Sequence, residues 1–266
     1  MTNMTSYADA LENDEPISIE GFTFYPILVR DYRQFEAAKA AILLRQGSLP
    51  LKYAIKSYLG ALYAMDHDAL AENGQPLGFI GGILTLLALA MRVPAHALLR
   101  QTKIQVSETD ESELACLLIQ AGETMLRMTP ALFDRIRPIL AAQNGLELPD
   151  ESENTDLVEA EMDIAAKGTM NVDADFRTLL ASVARDQRCR RTDLLDYTIR
   201  EFMELKDAIE RDKLFSIYRM AELSGNVKFT KGNPVPSWCY DRKEKANSLI
   251  SMADFMAGPG SAAKMT

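Results

Sequence analysis

The sequence predicts a mainly α fold with two small β-hairpins: an α+β N-terminal domain over residues 15–148 and an all-α C-terminal domain over 173–245. Three observations predict it. Apolar side chains recur every three to four residues through most of the chain, the period of one helix face. In two short stretches they alternate with period two, as a half-buried strand requires. From residue 147 to 166 there are eight acidic residues and no basic one, and such like-charge runs repel and resist packing. That stretch forms the body of an acidic linker, 149–172, and the end of the chain, 246–266, has the composition of a flexible tail.

The elements follow in order. In ISIEGFTFYPIL, residues 17–28, Ile17 and Ile19 precede a Glu-Gly pair and Phe22 and Phe24 follow it, which predicts a hairpin left at Pro26. Asp31 stands as the N-cap of a helix over 31–47, closed by Gly47, with Tyr32, Phe35, Ala38, Ile42 and Leu43 on one face. A second helix over 49–70 directs Tyr53, Ile55, Leu59, Leu62 and Tyr63 inward, and ENGQPLG breaks it off. The run GFIGGILTLLALAM, 78–91, predicts a buried helix closed by Arg92 and Pro94.

TKIQV and ELACLLI, separated by the polar SETDES, predict the second hairpin. Thr129-Pro130 opens the next helix, with proline at its first position, where the missing N–H costs nothing. Leu132, Phe133, Ile136, Ile139 and Leu140 face inward and Asn144-Gly145 ends it. Two helical patterns follow Asp173. In the second, Leu195, Ile199, Phe202, Leu205, Ile209, Ile217, Met220 and Leu223 recur close to every 3.6 residues.

Composition narrows the function. With 266 residues, 47% of them hydrophobic, the chain can bury one large core or two modest ones. A net charge of −9 argues against a broad nucleic-acid-binding face, which would be basic. The N-terminus, MTNMTSYADALENDEP, is acidic and polar, unlike a signal peptide. The 78–91 run has 14 residues, and a bilayer span needs about 20. Cys116, Cys189 and Cys239 are widely spaced, so they are read as reduced thiols of a cytoplasmic protein.

No chemistry-bearing motif emerges, and neither a metal nor a cofactor is expected. His67 and His96 are the only histidines and lack a nucleophile context. Gly78, Gly81 and Gly82 lack the strand before and the Lys-Ser/Thr after that a phosphate loop requires, so close helix packing explains them better. The acidic runs lack the spacing of a calcium loop. The sharpest basic cluster is RDQRCRR, with Arg185, Arg188, Arg190 and Arg191. It precedes a helical pattern, as in a helix-turn-helix. However, Glu201, Glu204, Asp207, Glu210 and Asp212 on that helix would repel phosphates. Pairing with the acidic linker or a partner suits the cluster better.

The only tryptophan lies in KGNPVPSWCYDRK, residues 231–243. Trp238 there either caps the core of the C-terminal helices or, with Pro234, Pro236 and Tyr240, forms a rigid anchor for another chain. Aromatic groups held by prolines lose little entropy on binding.

Three segments in order carry a resemblance: GFTFYPILVRDYRQFEAA followed by LGALYAMD, then TPALFDRIRPILAAQNGLELPDE, then TIREFMELKDAIERDKLFSIYRMAELSG with PSWCYD after it. The chain resembles, over residues 20–240, proteins of the tail-assembly region of bacteriophages and prophages, particularly of Gram-positive hosts. The resemblance implies a tail-assembly chaperone in the host cytoplasm. Such proteins bind the tape measure protein and keep its apolar helices soluble until the tail tube polymerises. They are often made in short and long forms by frameshifting. Trp238, Tyr240, Pro236 and Phe229 are then the expected partner contacts. A structural virion component of the baseplate or tail end is one alternative. A DNA-binding regulator using Arg185 to Arg191 is another. A homo-oligomer is compatible with either protein-binding reading.

Overall fold

The computed structural model describes residues 7–108, 110–121, 124–151, 175–224 and 237. The fold is mainly α with two small antiparallel sheets. The chain divides into two compact units, Met1–Lys206 and Asp207–Thr266.

After a short helix α1 (Ala8–Glu12), the first sheet is the expected hairpin of β1 (Ile17–Ile19) and β2 (Phe22–Phe24), in the register Ile17↔Phe24, Ser18↔Thr23 and Ile19↔Phe22. The two-residue turn between them has φ 51° at Glu20 and 85° at Gly21. Two left-handed residues match the right-handed twist of the strands, and glycine takes the second without strain. Ile17, Ile19, Phe22 and Phe24 share one face and are buried, while Ser18 and Thr23 face outward with their hydroxyls 3.0 Å apart.

The expected 31–47 helix is shorter and split, into α2 (Tyr32–Ala38) and α3 (Ala40–Leu43). Its end is decided by side chains from elsewhere. The Tyr58 hydroxyl donates to the Ala41 carbonyl at 3.0 Å, and Arg137 donates to the carbonyls of Ile42 (2.9 Å) and Leu44 (3.4 Å). The Arg137 guanidinium also lies 3.6 Å over the Tyr58 ring. These groups take carbonyls that a further turn of helix would have used.

The 49–70 helix is likewise two pieces, α4 (Leu51–Ala54) and α5 (Tyr58–Asn73). Ser57 restarts the helix, its hydroxyl accepting from the Gly60 N–H at 3.3 Å. The interruption changes the helical phase. Leu59 and Leu62 are fully buried, but Ile55, expected inward, is 75% exposed.

The central helix is α6 (Phe79–Ala90), with Ile83, Leu86, Leu87, Ala88 and Ala90 buried. It packs closely on α2 and α3: a Cβ at Gly82 would lie 3.0 Å from that of Ala41. Gly81, by contrast, has open space around it, so close packing accounts for only one of that pair. At its N-terminus the buried Asp66 carboxylate of α5 accepts three backbone N–H groups, from Gly78 (2.8 Å), Phe79 (3.1 Å) and Ile80 (2.8 Å). One side chain thus satisfies most of the orphan donors of the helix and complements its dipole. At the other end Val93 N–H reaches the Ala88 carbonyl and Arg92 N–H that of Leu89, with Arg92 left-handed at φ 56°. This is a Schellman closure with arginine where glycine is favoured.

A short α7 (Ala95–Gln101), unanticipated in the sequence, leads into the second sheet. The expected β3 (Lys103–Val106) and β4 (Leu114–Ala121) are joined by a third strand, β5 (Thr124–Met128), in the antiparallel order β3-β4-β5. Leu117 and Ile119 of β4 and Leu126 and Met128 of β5 pack into the core. Cys116 lies on the opposite face, fully buried between the side chains of Gln105 and Arg127. Cys116 and Cys189 are free thiols; Cys239 lies outside the described residues.

The helix α8 (Pro130–Gln143) begins as expected, with Thr129 accepting from the Leu132 N–H at 3.2 Å, and buries Leu132, Phe133, Ile136, Ile139 and Leu140. Its last residues reach back to the first hairpin. Gln143 donates to the carbonyls of Glu15 and Phe24, and Asn144 accepts from the Ile27 N–H at 2.9 Å.

Then come α9 (Phe176–Asp186) and α10 (Ile199–Leu223), the latter unbroken at Arg211-Asp212. The expected domain starting at 173 does not stand apart, because residues up to Lys206 belong to the first compact unit. Phe176 stacks on Tyr32 at 4.1 Å and meets Phe202 edge-on at 6.0 Å. Leu28 and Thr198 form a β-bridge, with Val29 N–H to Tyr197 and Ile199 N–H to Ile27. Thr198 and Glu201 cap α10 reciprocally, each side chain accepting the other's backbone N–H. Asp14 binds both the Thr198 hydroxyl (3.0 Å) and the Arg200 guanidinium (2.5 Å). Long-range apolar pairing outweighs the composition break at 149–172.

Two predictions test these joints. Asp66→Ala should lower the unfolding free energy by about 2–3 kcal/mol, since it strands donors at a buried helix end. Urea denaturation reads this, and a loss under about 0.5 kcal/mol would refute the role. The second concerns Asp14, whose carboxyl burial holds above the usual carboxylate range; Thr198 and Arg200 oppose this, and Glu201 adds to it. The folded state thus binds the proton more tightly than the unfolded chain. Its contribution is fully present below the unfolded pKa and is lost as pH rises through the folded one. Asp14→Asn should therefore gain stability relative to wild type as pH rises from about 3 to 7. Urea midpoints at each pH measure this, and a difference that stays flat or reverses would overturn it.

Candidate partner-binding surfaces

Trp238, Tyr240, Phe229 and Pro236 lie outside the described residues, as do the linker residues 152–172 and the tail. The surfaces that can be built from described residues are the basic turn, the outer part of α10 and the surroundings of the two histidines.

The basic turn begins in the last turn of α9 with Arg185. The helix is stopped by Cys189 N–H bonding to the Ala184 carbonyl, while Arg188 takes a left-handed φ of 53°. Asp193 then accepts the Arg190 N–H at 3.0 Å. Arg185, Arg188, Arg190 and Arg191 are all exposed, so the turn presents four guanidinium groups at once. Buried Val183, Ala184 and Leu194 fix it to the fold from beneath.

On α10 the apolar stripe has two different environments. Ile199 and Phe202 are buried, whereas Ile217, Met220 and Leu223 are 58%, 64% and 72% exposed. Spaced three apart, these side chains form a drifting ridge along the helix. Arg219 and Glu222 pair beside it at 2.8 Å.

The two histidines lie on different helices, His67 on α5 and His96 on α7. His67 sits half-exposed on α5, its ring 6.1 Å from that of Tyr63 and its Nδ1 3.7 Å from Asp68. Asp68 accepts from both Lys52 and Tyr53 at 2.8 Å, and these bonds hold its carboxyl below the usual range. His96 is exposed on α7, at the edge of a cleft. The Gly78–Ile80 amides, which a phosphate would use, are already occupied by Asp66. Among the described residues no group of His, Cys, Asp and Glu is arranged to hold a metal ion. No helix among them is long and apolar enough to cross a membrane.

Of the polar residues that organise the fold, Asn144 is legible in the sequence only as a helix end, and Asp66, Arg137 and Gln143 are not singled out by it. A signal existed for Asp66: it follows Leu62 by four residues and so lies on the face expected to be buried. No protein-family model matches the chain, and no characterised protein or solved structure does so either.

Because all four arginines of the basic turn are exposed, Arg190→Glu with Arg191→Glu should change the unfolding free energy by less than about 0.5 kcal/mol. A larger loss in thermal or urea unfolding would give the turn a structural role instead.

Proposed function

We propose that this chain is a non-enzymatic phage tail-assembly protein, a chaperone that binds the tape measure protein before the tube polymerises. The proposal takes its client from the resemblance of the three ordered segments. The structural observation that supports it is the exposed ridge of Ile217, Met220 and Leu223 on α10.

Three large apolar side chains on one helix face suit an apolar helical client, whose own stripe would otherwise seek another copy of itself. Burying each such side chain contributes about 1–2 kcal/mol. The unbranched thioether of Met220 adapts to an irregular partner face at little cost. Trp238 and Tyr240, with Pro236 and Phe229, are the aromatic contacts proposed to add to this ridge.

Co-expression with the neighbouring tail genes, followed by affinity capture and mass spectrometry, tests the reading. The expected result is recovery of a long helical tape-measure-like chain. Ile217→Asp with Met220→Asp should lose it while the melting temperature stays within a few degrees, because both positions are exposed. The chaperone should also be absent from purified particles. Recovery of tube or baseplate subunits instead, or presence in particles, would replace the chaperone by a virion component. Undiminished recovery by the double variant would remove the ridge from the interface.

A further inference from the structure

Residues 26–34, leading into α2, and residues 88–96, between α6 and α7, wall a cleft of about 720 Å³. That is the size of a small-molecule site. Its apolar lining comes from Pro26, Leu28, Leu89, Val93 and Pro94. Its polar lining comes from the charged Arg30, Asp31 and Arg92, with Gln34 and His96 beside them.

These charged groups are not equivalent. Arg30 is engaged by Asp196 in an ion pair and is next to Asp31. Burial holds the Asp31 carboxyl above the usual range, with Arg30 opposing. Arg92 has no carboxylate partner among the described residues. Its guanidinium is held instead 4.3 Å over the Tyr25 ring, which orients the planar group without neutralising it.

The backbone at this position makes the arginine harder to dismiss. Arg92 occupies the left-handed residue of the Schellman closure of α6, with φ 56°. Glycine would take that conformation without strain. A guanidinium oriented on a ring and without a counter-ion among the described residues is one whose charge is available to a ligand. His96 adds a second polar group on the same wall of the cleft.

We infer that this cleft binds a carboxylate carried on an apolar body, with the Arg92 fork on the acid and Pro26, Leu28, Leu89 and Val93 against the apolar part. The planar fork matches a carboxylate in a bidentate way, and the apolar lining excludes a bare, fully hydrated anion. The acid can come from a free organic acid or from a glutamate side chain of a peptide.

Titration of the full chain with 4-phenylbutyrate, followed by amide chemical shifts or calorimetry, tests the inference. The neutral 4-phenylbutyramide, inorganic phosphate and N-acetyl-Leu-Glu-Leu-amide serve as comparison probes. Saturable binding of 4-phenylbutyrate is expected, with the amide and phosphate weaker by about tenfold or more, the scale of one charge-assisted contact. Arg92→Gly should weaken it by at least about tenfold, while Arg92→Lys should retain part of it. The glycine variant relieves the left-handed strain, so its melting temperature should not fall and lost binding cannot be assigned to unfolding. Tighter binding of the peptide than of the free acid identifies a protein segment as the source; the reverse identifies a small acid. Equal binding of acid and amide, full binding by Arg92→Gly, or no saturable binding of either acid overturns the inference.

Discussion

The structure depends on satisfying the backbone of one buried stretch, Tyr25 to Val29, as it leaves the first hairpin. This segment runs through the core without a continuous sheet neighbour, and unpaired buried amides are costly. Three of its N–H groups therefore go to three different elements. Tyr25 bonds to Ala90 at the end of α6, Ile27 to the Asn144 side chain after α8, and Val29 to Tyr197 before α10. The Ile27 carbonyl in turn accepts from Ile199. Three helix termini converge on five residues of extended chain, and Pro26 is accommodated because it has no N–H to satisfy.

The same economy governs the helix ends. Asp66 closes the start of α6, Arg137 and Tyr58 close the end of α3, and Gln143 and Asn144 carry α8 to the hairpin. Each is a polar side chain placed among apolar ones, where a hydrogen bond is worth most if made and costs most if missing. Burial pushes the Tyr58 phenol up to about 12, so it remains a donor to Ala41 at ordinary pH. Apolar burial supplies the bulk of the driving force, and these directional contacts select one arrangement of helices that the hydrophobic pattern alone leaves open.

Against this closed core stand three surfaces with unused capacity: four exposed arginines at the α9 turn, the apolar ridge on α10 and the Arg92 cleft. They differ in chemistry and so in partner. A guanidinium cluster suits anions in a salt-dependent way, an apolar ridge suits another helix, and a mixed cleft suits an amphiphilic acid. The ridge uses no group that holds the core together, so it can change without dismantling the fold, whereas the cleft shares Pro26, Leu28 and Ala88 with the packed interior.

The sequence by itself determined the mainly α class, the first hairpin, the buried α6 helix, and the Thr129 start and Asn144 end of α8. Each rests on periodicity or on a cap read within a few residues, and such signals are local. Tertiary structure alone decided the rest. The breaks at 39 and 55–57, the exposure of Ile55 and the attachment of residues 175–206 to the first unit depend on contacts across large sequence separations. The third strand, TMLRM, was hidden because Met, Leu and Arg also suit helices, and only pairing with β4 makes it a strand. The cleft was hidden too: His96 showed only the lack of a nucleophile context, and Arg92 read as a mere helix stop. Its significance needs the φ angle, the Tyr25 ring and the opposite wall, none of which is written in the local pattern.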